Sequence, residues 1–187
     1  MFSIGSAFAQ EITPDSVKVS INTLSNPLSF VFETRNSPDA AFNNAKQWIA
    51  KNFQDYKKTI QMEDVTGHTL MFKGKESLGT YNGMYKSYRT SHKLMMDYTA
   101  TVECKEGRFR IKIEDLDYSQ VLGFTGQKDV VIKIKTSTLE TLDNLKKDSD
   151  QDSSYISMLE NLVPKTKETI AAIVNSMAKS ISYYDDF

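Results

Sequence analysis

Three features of the chain predict an α+β fold: a single curved antiparallel β-sheet with helices packed on one face, plus C-terminal helices. Apolar and polar residues alternate at period two in several segments. One stripe at helical spacing interrupts them early, and from residue 139 onward the period becomes helical. Strands grouped together, with helices set apart, favour an antiparallel sheet covered on one side over alternating βαβ units.

The 187 residues suit one domain with an appended helical piece. Hydrophobic residues make up 40% of the chain and aromatic residues 11%, enough for a real core. The 23 Lys and Arg are balanced by 24 Asp and Glu. Phosphate contacts favour a basic excess, so nucleic acid is not an expected partner. No apolar run reaches the roughly 18 residues of a spanning helix. The single cysteine, Cys104, excludes an internal disulfide, a CxxC redox pair and a cysteine zinc cluster.

Ala7-Phe8-Ala9 before Gln10 has the small-x-small pattern of a signal cleavage site, and a polar, proline-containing stretch follows it. Residues 1–9 therefore read as the remnant of an export signal, with the cut after Ala9 and a periplasmic or secreted mature chain. Residues 10–136 read as the α+β sheet domain. Residues 137–187 read as a C-terminal helical region packed on it.

Val17, Val19 and Ile21 alternate as a first strand, and Leu28, Phe30 and Phe32 as a second after the Asn26-Pro27 turn. Ser37-Pro38-Asp39 starts a helix with a hydroxyl cap, proline at the first position and an early acid. Phe42, Ala45, Trp48, Ile49 and Phe53 form its apolar stripe. Ile60 and Met62 alternate again, Thr66-Gly67 turns the chain, and residues 69–72 form a strand broken by Lys73-Gly74-Lys75. Residues 76–93 read as a long loop. Met96, Tyr98, Ala100, Val102 and Cys104 share one strand face. Glu106-Gly107 turns into a partner strand with Phe109, Ile111 and Ile113. Val130, Ile132 and Ile134 form a further short strand. Leu139, Leu142 and Leu145 make a short helix. Tyr155–Val163 make another up to Pro164, and a longer helix carries Ile170, Ile173, Val174, Met177 and Ile181.

The stretches AFNNAKQWIAKNF, GHTLMFKGK and YTATVECKEGRFRIKIEDL, within about residues 28–118, resemble a bacterial family of exported proteins. That family is known as a domain of unknown function with a TATA-binding-protein-like fold. The matching motifs are Ala45-Trp48-Ile49, Gly67 to Gly74 and Lys105 to Arg110. The resemblance implies a TBP-like, or more broadly helix-grip-like, architecture and an exported protein. It transfers no catalytic residue, and a fold name does not imply DNA binding.

Few residues carry chemistry. Asp148, Asp150 and Asp152 are spaced like the start of a calcium loop. Ser153 occupies the place of the turn glycine and Leu159 that of the terminal acid, so a solvated acidic connection is the stronger reading. Glu114, Asp115 and Asp117 could pair for acid–base work, against a plain polar strand end. His68 and His92 lack zinc-ligand spacing. Cys104 falls on an apolar face and reads as a buried thiol. Arg108, Arg110 and Lys112 read as a mixed, solvated face with Glu103 and Glu114. Tyr81, Tyr85 and Tyr88, in a glycine-containing segment, are the candidates for ligand or partner contact.

No motif calls for a cofactor or a catalytic set. The expectation is an exported, non-enzymatic binding or protein-interaction domain with a protein or small-molecule partner in the envelope. One alternative is a carrier of a small apolar ligand between the sheet and the C-terminal helix. A second is a hydrolase using the 114–117 carboxylates.

Overall fold

A computed structural model describes residues 19–21, 24, 27–85, 88–124, 129–134 and 153–183. Six strands form one antiparallel sheet: β1 (Leu28–Glu33), β2 (Ile60–Asp64), β3 (Thr69–Tyr85), β4 (Tyr88–Lys105), β5 (Arg108–Phe124) and β6 (Val130–Ile134). The strand order is β1-β5-β4-β3-β2, and β6 also pairs with β5. Among the described residues the helices are α1 (Pro38–Asn52), the single turn α2 (Tyr56–Thr59) and α3 (Ser153–Ile181). The expected α+β class, with one antiparallel sheet and a C-terminal helix, is the architecture found. Residues cluster into two compact units. The first holds the described residues up to Gly74, then Thr99–Asp115 and those from Ile170; the second holds Lys75–Tyr98 and the described part of Leu116–Thr169.

In the first unit α1 forms where its local signals place it. The Ser37 hydroxyl accepts the Ala40 N–H at 3.2 Å, and Pro38 fills a position whose missing N–H costs nothing. Ala41, Phe42, Ala45, Trp48 and Ile49 are buried. Trp48 and Phe53 pack on Phe72 of β3, with centroids 6.2 and 5.6 Å away. Phe32 of β1 stacks on its register partner Phe109 of β5 at 5.2 Å. In the turn before β3, His68 takes a φ of 49°. Its ring meets Asp39 Oδ1 at 2.9 Å, and its carbonyl accepts the Cys104 N–H at 3.0 Å. The β4–β5 turn is closed by Gly107 at φ 71°, a left-handed conformation that glycine adopts without steric cost.

The C-terminal part of α3 is tied into the same unit by polar contacts. Trp48 Nε1 donates to Ser176 Oγ at 3.0 Å. Asn36 Nδ2 donates to the carbonyls of Ile181 (2.7 Å) and Tyr183 (3.0 Å), and Asn44 Nδ2 reaches the Tyr183 carbonyl at 3.1 Å. The last carbonyls of a helix have no intrahelical donor, so these two amides serve as its C-terminal cap.

Four sequence expectations change. First, Val19–Ile21 are not strand. The Val19 N–H instead donates to Asn175 Oδ1 on α3 at 2.8 Å, which diverts it from any ladder. Second, β3 does not break at Lys73-Gly74-Lys75. Gly74 is buried, the lysines point outward, and Lys75 pairs with Asp97 of β4 at 3.1 Å. Third, residues 76–93 are not a long loop, because β3 continues to Tyr85 and β4 begins at Tyr88. The inward positions here include Glu76, Thr90 and His92, so the apolar alternation that announces a strand is missing. Fourth, α3 runs through Pro164. The proline lacks the N–H for one ladder bond, but Val163 and Pro164 lie on the exposed side. Met158, Leu159 and Leu162 before the proline, and Ile170 after it, are buried and hold the helix on both sides. The proposed helix at 139–145 lies outside the described residues.

Candidate functional site

The outward row that suggested an anionic partner is largely neutralised within the first unit. Arg110 Nη2 donates to both carboxylate oxygens of Glu103 at 2.8 and 2.6 Å, and Lys112 pairs with Glu114 at 2.6 Å. Beside this row an open groove of about 210 Å³ is lined by Val31, Glu103, Lys105, Arg108, Phe109 and Arg110. One acid, Glu103, and three bases, Lys105, Arg108 and Arg110, line it, and Glu103 is taken up by Arg110. The carboxylate cluster is no better assembled for catalysis. Glu114 is held by Lys112, while Asp115, at φ 54°, and Asp117 face solvent.

The face of α3 proposed as a cavity wall is packed. Val174, Met177, Ala178 and Ile181 have no exposed surface. That packing speaks against the carrier reading. Cys104 is buried, and burial pushes its thiol up to about 12. At about pH 8 a thiol reagent such as DTNB should leave the native protein unmodified and titrate one thiol only after denaturation. Fast labelling of the native form would contradict the burial.

In the second unit β3 and β4 are neighbours joined through residues 86 and 87, and they bring the three candidate tyrosines onto one hairpin. Tyr81 is half-buried, and its ring lies over Gly79. A Cβ added there would stand 3.3 Å from the ring, and the φ of 148° already favours glycine. Tyr81 thus packs against its own strand. Tyr85 ends β3 and Tyr88 opens β4, and their side chains lie outside the described set.

Sequence reading missed a buried polar cluster in the same unit. His92 is 5% exposed, with Nε2 3.2 Å from Thr90 Oγ1 and Nδ1 against the Gln120 amide of β5. With the amide N–H donating to Nδ1, the ring proton sits on Nε2 and is given to the threonine oxygen. Nearby in the chain, the Thr166 hydroxyl on α3 donates to Tyr118 Oη at 3.3 Å. Thr90 and His92 fall on the same strand parity as Leu94, Met96 and Tyr98, and that parity was the available signal.

Burial lifts the Glu76 carboxyl above its ordinary range. Burial, and secondarily the Glu76 charge, lift the Tyr98 hydroxyl. The folded state then holds the Glu76 proton to higher pH than the unfolded state does. Stability is fullest below the unfolded pKa and declines as pH rises through the folded one. Glu76→Gln should therefore raise the melting temperature at neutral pH and lose that advantage near about pH 4. A variant less stable than wild type at neutral pH would contradict this.

Asp148, Asp150 and Asp152 lie outside the described residues. Among the described residues no three His, Cys, Asp or Glu form a group able to hold a metal. No helix among them is long and apolar enough to cross a membrane.

One antiparallel sheet in the order β1-β5-β4-β3-β2, with α1 and a long C-terminal helix, defines an α+β protein of the TBP-like class. Residues 34–119 match the family model described as a domain of unknown function (DUF4468) with TBP-like fold, so the resemblance read from the sequence holds over that span. A search of curated proteins finds no match. Among solved structures, the chain is similar to a DUF4468 family protein from Bacteroides ovatus ATCC 8483. That similarity has 14% identity and TM-score 0.53 over 86% of this chain and 88% of that one. It is also similar to a TBP-like protein from Parabacteroides distasonis ATCC 8503, at 16% identity and TM-score 0.51, over 85% and 94%. At these identities the likeness concerns the fold.

Proposed function

We propose that this is an exported, non-enzymatic protein-interaction domain whose contact surface is the end of the β3–β4 hairpin marked by Tyr85 and Tyr88. The supporting observation is that Tyr85 ends a strand of 17 residues and Tyr88 opens its neighbour of 18 residues. Strands in globular proteins are usually 3–10 residues long, so both strands of this hairpin are unusually long. Tyrosine offers a large apolar body with a polar tip and few rotatable bonds, which suits a contact residue. The pattern Ala7-Phe8-Ala9 supports export, and residues 1–9 lie outside the described set. Two measurements test the proposal. N-terminal sequencing of protein recovered from the cell envelope should begin at Gln10. Substituting Tyr85→Ser and Tyr88→Ser together should abolish retention of the partner that the wild-type chain co-purifies, with an unchanged melting temperature. Retention equal to wild type would reject the hairpin as the contact surface.

A further inference from the structure

The strand β6 differs from the rest of the sheet. Among the described residues it pairs with β5 alone, in the register Tyr118↔Ile134 to Leu122↔Val130, which leaves its other edge without a strand. Three consecutive apolar residues on it are solvent-facing: Val130 is 47% exposed, Val131 65% and Ile132 44%. An edge strand of a soluble protein is ordinarily blunted by charge, proline or a bulge, because its free N–H and C=O groups template another strand. Here Lys133 is the one charged residue within the strand. Asp129 precedes the strand and Lys133 is its fourth residue; both are exposed, and neither has an ion-pair partner among the described residues.

We infer that β6 is a self-association edge, on which a second copy of this chain pairs antiparallel about a two-fold axis at Val131. The argument is the charge pattern of Asp129-Val130-Val131-Ile132-Lys133, an acid, three apolar residues and a base. Laid antiparallel on itself with Val131 opposite Val131, this segment sets Asp129 opposite Lys133 at both ends and Val130 opposite Ile132 on both sides of the axis. Opposite charges directly across an antiparallel pair stabilise it, and like charges destabilise it. Moving the axis to Lys133 or to Asp129 sets like charges face to face, so the charges disfavour both of those registers. A two-fold pairing is also closed: it uses the same β6 edge of both copies, so this contact does not propagate. This inference stands apart from the tyrosine hairpin and neither requires nor excludes it.

Sedimentation equilibrium of the full chain tests it. Wild type should reach twice the chain mass. Asp129→Lys, and separately Lys133→Asp, should each raise the dimer dissociation constant roughly tenfold or more, since two attractive pairs become two repulsive ones. The double variant Asp129→Lys with Lys133→Asp should restore the dimer, because the swap regenerates both pairs. A second readout does not depend on those charges. Val131→Cys should give a disulfide-linked dimer under mild oxidation, because Cα atoms directly opposite on antiparallel strands lie about 4.5–5.5 Å apart, within disulfide reach. Val163→Cys on α3, 40% exposed in the wild type, should stay monomeric under the same conditions. A wild-type chain that stays monomeric at about 100 µM, a concentration detecting the roughly micromolar dimers of weak interfaces, would overturn the inference. So would a double variant no tighter than the singles, or a Val131→Cys chain that cross-links no faster than Val163→Cys.

Discussion

Replacing Phe72 with alanine should lower the unfolding free energy by about 3–5 kcal/mol, the scale for truncating a fully buried phenylalanine. Phe72 has no exposed surface. It takes the ring of Trp48 from α1 at 6.2 Å and that of Phe53, the residue capping the end of α1, at 5.6 Å. The alanine would leave a void under both rings, and neither can close it without moving α1. Phe72→Leu retains much of the volume and should cost less than half as much. Urea denaturation of the two variants and wild type checks both expectations. An alanine variant within about 1 kcal/mol of wild type would mean that the cluster does not anchor the helix.

Asn36→Ala should cost about 2 kcal/mol, from a residue that sequence reading passed over. Its buried amide satisfies the Ile181 carbonyl at 2.7 Å and the Tyr183 carbonyl at 3.0 Å. The variant leaves a buried acceptor short of its donor, which costs more than the net worth of an ordinary hydrogen bond. Asn44 still reaches the Tyr183 carbonyl at 3.1 Å, so Asn36→Ala with Asn44→Ala should cost more than the sum of the single losses. Hydrogen exchange should locate the loss in the last turn of α3, around Met177 to Ser182, before it appears elsewhere. Uniform loss of protection throughout the first unit would contradict a local cap.

What was legible in the sequence follows from how local each signal is. The start of α1 was readable because Ser37, Pro38 and Asp39 act within one helical turn, and its stripe was readable because the helix has one buried face. The strands around Met96–Cys104 and Phe109–Ile113 were readable because their inward positions are apolar. The distal half of the β3–β4 hairpin was not. There Thr90 and His92 fill inward positions and are satisfied by hydrogen bonds, to each other and, for His92, to Gln120. Polarity that marks a loop in one setting marks a bonded interior in another, and only the cross-strand partner decides between them. The continuity of α3 was hidden for a similar reason. Pro164 is a local stop signal, overridden by buried residues on both sides of it. Of the candidate contact residues, Tyr81 turned out to cover a glycine, which no spacing rule signals.

The proposed function puts partner contact at Tyr85 and Tyr88 of the β3–β4 hairpin and not on α1. Site-specific photo-crosslinking in the producing cell tests it most directly. A benzophenone side chain placed at Tyr85 or Tyr88 should capture one discrete protein partner. The same group at Lys51, exposed on α1, should capture nothing above background. Equal capture at all three positions, or capture at Lys51 alone, would contradict the claim.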